Sequence, residues 1–86
     1  MRTFPLVISS PDGEVFRGAV VQISVRGIEG SLAILAGHAP FVTSVKPCDC
    51  EIQLSDGETR TGSTNGGILA VSKDMVTLTT GTFAWV

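Results

Sequence analysis

Eighty-six residues with 43% apolar side chains make one small folded domain, able to bury about 60–65% of the surface its unfolded chain exposes. Six basic residues stand against eight acidic ones, net −2, and Arg2, Arg17, Arg26, Lys46, Arg60 and Lys73 are scattered singly. That distribution excludes a nucleic-acid footprint or a polybasic membrane patch. No apolar run approaches the roughly 18–20 residues that cross a bilayer. Met1-Arg2-Thr3-Phe4-Pro5 lacks the apolar core and cleavage site of a secretory leader. The expected setting is cytosolic, with any membrane association made through a partner.

From the N-terminus, Phe4, Leu6 and Ile8 alternate with Pro5, Val7 and Ser9 as a half-buried strand does. Ser10-Pro11-Asp12-Gly13 is a turn. Glu14, Val15 and Phe16 form a short strand that breaks at Gly18. Ala19, Val21, Ile23 and Val25 then share one face, opposite Val20, Gln22, Ser24 and Arg26, in the longest clean alternation of the chain. Gly27-Ile28-Glu29-Gly30 is a loop with Ile28 at its tip. The next strand carries Leu32, Ile34 and Leu35 and ends in the corner Gly37-His38-Ala39-Pro40, where glycine frees the backbone and proline fixes it.

Beyond the corner, Phe41 to Lys46 is a strand stopped by Pro47. Cys48, Cys50, Ile52 and Leu54 fall on one face of the next strand. Ser55-Asp56-Gly57 signals a hairpin, followed by a threonine-rich strand from Glu58 to Thr64. Asn65-Gly66-Gly67 leads into Ile68 to Ser72, and Met75 to Thr80 returns beside it. Phe83 and Trp85 share a face if the tail is extended, which favours docking over exposure. No window has amphipathic helical spacing. The fold class is all-β: one domain over 1–86, a small antiparallel β-sandwich of roughly eight to ten short strands. The expected core is Leu6, Ile8, Val21, Ile23, Leu32, Ile34, Ile52, Leu54, Val76 and Leu78.

Few residues carry chemistry. His38 stands alone, and no nucleophile motif such as G-x-S-x-G accompanies it. The C-x-C of Cys48 and Cys50 suits a thiophilic metal in principle, but its strand parity places both sulfurs beside Ile52 and Leu54, where cysteine acts as a small hydrophobe. A disulfide between them has poor geometry. Asn65-Gly66-Gly67 leads into a strand and not a helix, so it reads as a turn or bulge and not a phosphate cradle. Asp12, Glu14, Asp56 and Glu58 flank turns. The residues describe a contact module without catalysis; the second reading is a small metal-binding sandwich using Cys48 and Cys50.

The order of these residues resembles a known family. Phe4-Pro5-Leu6-Val7-Ile8 with Ser10-Pro11-Asp12-Gly13 and Phe16-x-Gly18 is similar to the opening of the epsilon subunit of the rotary F-type ATP synthase. The likeness continues through Gly27-x-Glu29-Gly30-x-Leu32-x-Ile34-Leu35-x-Gly37-His38-Ala39-Pro40, its most diagnostic run, and on through Lys46-Pro47, Asp56-Gly57, Gly66-Gly67-Ile68-Leu69-x-Val71 and Val76-Thr77-Leu78. The resemblance implies a ten-stranded sandwich without active site, cofactor or small-molecule substrate. It implies contacts with the gamma subunit and the c-ring, on the cytoplasmic side of the inner membrane, and a part in coupling proton or sodium flow to ATP synthesis.

By the same resemblance, Ile28, Glu29 and Ser31 face the c-ring, and His38, Phe41, Val42 and Thr43 face gamma. Cys48 stands where relatives carry glycine, and Ser31 where some carry an acid. Relatives continue into a helical hairpin, whereas this sequence stops at Trp85-Val86; the expectation is a subunit without that inhibitory element.

Overall fold

The computed structural model describes residues 2–86. Nine strands follow one another: β1 Phe4–Ser10, β2 Gly13–Gly27, β3 Gly30–Leu35, β4 Phe41–Val45, β5 Cys48–Leu54, β6 Thr59–Thr64, β7 Gly67–Val71, β8 Val76–Thr80 and β9 Phe83–Trp85. Their hydrogen-bonded order is β1-β8-β7-β4-β2-β5-β6-β9, with β3 against β2 and a second pairing of β1 with β2. No helix occurs among the described residues. The all-β expectation holds.

One pair departs from the antiparallel pattern. β1 lies parallel to β8, from Leu6↔Val76 to Ser9↔Thr79. Parallel neighbours need a long crossover, and here the crossover is everything from β2 to β7. A turn signal announces a local hairpin; nothing local announces a pairing this distant.

β2 corrects two readings. It runs unbroken for 15 residues through Gly18, because Gly18 makes room for a side chain and does not end the strand. A β-carbon there would lie 3.3 Å from Phe16 Cζ, so the ring folds over the bare position. Further on, Val20 pairs with Leu54 while Gln22 pairs with Gln53, leaving one extra residue on β2. That bulge inverts the parity. Val20 is fully buried, Ala19 is exposed, and the inward series resumes at Ile23 and Val25. Val20 and Val21 are both buried at the bulge, so the expected face, Ala19-Val21-Ile23-Val25, fails at Ala19 and holds from Val21 onward.

The core gathers Leu6, Ile8, Ile34, Ile52, Val76 and Leu78 as expected, together with Phe4, Val20, Val45, Cys50, Leu69 and Val71. Leu32 and Leu54 are half-buried against it, and Val21 is buried outside this cluster. The tail docks on the sandwich: β9 pairs with β6 through Gly62↔Trp85, Ser63↔Ala84 and Thr64↔Phe83. Trp85 meets Phe83 and Phe16 edge-on, with ring centroids 5.0 Å and 5.9 Å apart. The Arg60 guanidinium lies 3.7 Å over the Trp85 ring.

Chemical unfolding separates the bulged from the unbulged reading. Ile23→Ala should cost about 2–5 kcal/mol, and Val20→Ala should also be clearly destabilising. Ala19→Ser should stay within about 0.5 kcal/mol. A large loss at Ala19 with little at Val20 would restore the unbulged register.

Candidate functional site

The β2–β3 connection is a two-residue turn, Ile28-Glu29, closed by Gly27 opposite Gly30. Gly30 takes a φ of 127°, which residues with a β-carbon resist. The second wall comes from the corner. His38 N–H donates to the Leu35 carbonyl at 3.2 Å, and Gly37 supplies a φ of 85° at the bend. β4 then returns beside β2, joined through Gly27↔Val45 and through Lys46 N–H to the Arg26 carbonyl at 2.9 Å.

Between turn and corner lies an open groove of about 770 Å³. Its lining includes Ile28, Glu29 and Ser31 from the turn side, and His38, Phe41, Val42 and Thr43 from the corner side. All seven residues selected from the sequence thus border one depression. Ile28 is 60% and Val42 68% exposed, high values for large apolar side chains. Glu29 is the carboxylate of this lining.

Phe41 differs from the others. It is half-buried and packs against the core, so it supports the groove as well as bordering it. His38 leans on it, ring centroids 5.0 Å apart and tilted by 50°. The imidazole Nδ1 lies 3.0 Å from the Ala39 carbonyl. A carbonyl only accepts, so Nδ1 is the donor in this contact. Neither contact is with a nucleophile or an orienting acid.

The cysteines are elsewhere, on β5. Both are free thiols; Cys50 is fully buried in the core and Cys48 half-buried. Cys48 Sγ accepts the Arg26 N–H at 3.4 Å. Burial, chiefly, pushes the Cys50 thiol up to about 12, with Cys48 and Asp49 adding to it. No group of three or more His, Cys, Asp or Glu side chains capable of holding an ion occurs among the described residues. Cys48 and Cys50 pack with the core side chains, as their strand parity implies. The glutamate at the β1–β2 end, Glu14, is paired with Arg17, whose hydrogen bond lowers its pKa; it lies outside the groove.

Of the large apolar side chains exposed among the described residues, Ile28 and Val42 line this groove, while Leu35, Ile68, Met75 and Val86 lie elsewhere on the β-sandwich. Residues 3–86 match the family model of the ATP synthase, Delta/Epsilon chain, beta-sandwich domain, and the chain belongs to that family. Two solved structures have the same fold. One is the Euglena gracilis mitochondrial ATP synthase, OSCP/F1/c-ring in rotational state 1, where a chain 24% identical superposes with a TM-score of 0.91 over 96% of this chain. The other is the central stalk and c-ring of the Tetrahymena thermophila mitochondrial ATP synthase, at 15% identity, TM-score 0.82 and 95% coverage. This chain spans 53% and 66% of those two chains. No described helix is long and apolar enough to cross a membrane.

Thiol chemistry checks the cysteine assignment. A disulfide reagent should modify Cys48 slowly in the native protein and Cys50 only on unfolding. Because the folded Cys50 pKa is raised from 9.0 to about 12, the folded state holds the proton that the unfolded state releases. Its stabilising contribution is complete below pH 9.0 and is lost as pH rises toward about 12. Thermal melts across that window should fall more steeply for the wild type than for Cys50→Ala; parallel slopes would show that Cys50 titrates freely.

Proposed function

We propose that this chain is a non-catalytic subunit of the central stalk of an F-type ATP synthase. It binds the gamma subunit and the c-ring, turns with them, and helps couple ion flow to ATP synthesis. It is peripheral, on the cytoplasmic side of the inner membrane, and is held there by its partners. The observation that carries the reading is the meeting of turn and corner in one groove, in a chain that belongs to this family over residues 3–86.

The groove has the make-up of an association surface. Ile28 and Val42 supply an apolar centre, with Ser31, Thr43 and His38 as a polar rim. The turn, Ile28 to Ser31, is assigned to the c-ring and the corner, His38 to Thr43, to gamma. With Ser31 in place of an acid, Glu29 carries the electrostatic share of the c-ring contact. Both walls are tied to β2 by backbone bonds, so little order has to be imposed on binding.

Co-purification with the cognate gamma subunit and c-ring tests this reading. Val42→Ala should weaken gamma binding, and Ile28→Ala c-ring binding, each by about tenfold, with the thermal midpoint nearly unchanged. Glu29→Gln should reduce the salt dependence of c-ring association. Phe41→Ala should lower stability as well as affinity. Failure of the wild-type chain to bind gamma, or variants that unfold while binding is spared, would refute the assignment.

A further inference from the structure

The junction between β6 and β7 places a reactive dipeptide under a guard. Asn65 is exposed and is followed by Gly66 at a φ of 107°. Asparagine followed by glycine is the pair in which the next backbone nitrogen meets least steric resistance in attacking the side-chain carboxamide. Here both reacting groups are engaged. The Gly66 N–H donates to Thr64 Oγ1 at 3.1 Å. Asn65 Oδ1 accepts the Thr82 N–H at 3.0 Å and lies 3.3 Å from Thr80 Oγ1. Asn65 N–H donates in turn to the Thr82 carbonyl at 3.3 Å.

Thr82 immediately precedes β9, so this clasp depends on the tail. β9 is a three-residue strand at the end of the strand order. Its Phe83 ring rests on the bare backbone of Gly62, where a β-carbon would come within 2.2 Å of Phe83 Cζ. A three-residue edge strand held by one neighbour is among the first elements to open.

We propose that Asn65 is a self-modification site guarded by β9: when the tail lifts, the Gly66 amide closes on the Asn65 carboxamide and ammonia leaves. In this step the Gly66 nitrogen gives its proton to solvent base and forms a bond to Asn65 Cγ. The tetrahedral carbon then expels the side-chain nitrogen, reprotonated, as ammonia. Water opens the resulting succinimide at either carbonyl, giving aspartate or its isoaspartyl isomer. No oxidant or reductant is needed. In the closed state Cγ turns toward Gly66 only by giving up the Thr82 N–H and Thr80 Oγ1 contacts that hold Oδ1.

The two products act differently on the clasp. Aspartate retains the acceptor oxygen that Thr82 and Thr80 address, and β9 stays docked. The isoaspartyl product adds a methylene to the main chain between Thr64 and Gly66, breaks the Asn65–Thr82 pairing, and frees the tail. Trp85 is the single tryptophan of the chain, so its emission reports the docking of β9 against Phe16 and Arg60.

The test ages the full chain in mildly alkaline buffer beside the same chain in denaturant, reading peptide mass and isoaspartyl content. The denatured chain should convert at least about tenfold faster than the native one, as expected of a site that reacts only after local opening. Phe83→Ala should convert at an intermediate rate, with Trp85→Ala as the second loosened variant if the first fails to fold. Isoaspartyl protein should show red-shifted Trp85 emission, and Asn65→Asp should not. Equal rates in native and denatured wild type would overturn the guard. So would wild-type rates in a variant whose β9 amides exchange freely, and absence of conversion in denaturant would overturn the site itself.

Discussion

The bulge at Val21 is the constraint on which the rest of the sandwich depends. A strand of 15 residues spans about 50 Å at ordinary rise, longer than the 30 Å long axis of the molecule. β2 must therefore bend or coil, and the extra residue between Val20 and Gln22 bends it. Before the bulge β2 pairs with β1; beyond it, with β3 and, at Gly27, with β4; β5 pairs across the bulge itself. The same step turns Val20 inward on one side and Ile23 and Val25 inward on the other. One added residue lets a single strand serve both layers of a core built from side chains as small as valine.

That economy bears on the groove. Turn and corner are separated along the chain only by β3, and both are fastened to the end of β2, by Gly27↔Gly30, Gly27↔Val45 and Lys46 to Arg26. Phe41 anchors the corner from below by packing on the core, and His38 rests on Phe41. The exposed apolar side chains, Ile28 and Val42, thus sit on backbone that other contacts hold in place. Binding energy at such a surface is not consumed in ordering loops.

Much of this was legible in the sequence. Alternation located nearly every strand, turn chemistry located the hairpins, and the family resemblance selected residues between Ile28 and Thr43 that border the groove. The misreadings share a cause. Gly18 looked like a breaker because its reason for lacking a side chain is the Phe16 ring, a neighbour only in the folded strand. Ala19 looked inward because a bulge has no composition of its own. Phe41 looked free because its core contacts come from elements remote in sequence. The β1–β8 parallel pair depends on the whole intervening chain. Local signals fix period and turns; parity shifts and long-range packing arise only when the strands meet.

A single cross-strand row ties the groove to the opposite end of the fold. Gly27 pairs with Val45, Val45 with Gly67, and Gly67 with Thr80. Three inter-strand steps make about 14 Å. Two of the four members are glycines, and they are so for contact: a β-carbon on Gly67 would lie 2.0 Å from the Thr79 carbonyl oxygen. The row is therefore held by backbone at its narrowest, and hydroxyls secure its far end. Thr80 Oγ1 meets Thr64 Oγ1 at 2.6 Å and the carbonyls of Gly66 and Thr82 at 2.8 Å and 2.9 Å. Thr64 and Thr80 are buried, and no buried side-chain nitrogen or oxygen lacks a partner among the described residues. Two threonines buried at the rim of an otherwise apolar core are tolerated because that knot satisfies them. Where the glycine row leaves no side chains to pack, polar bonds take over the work of fixing the strands.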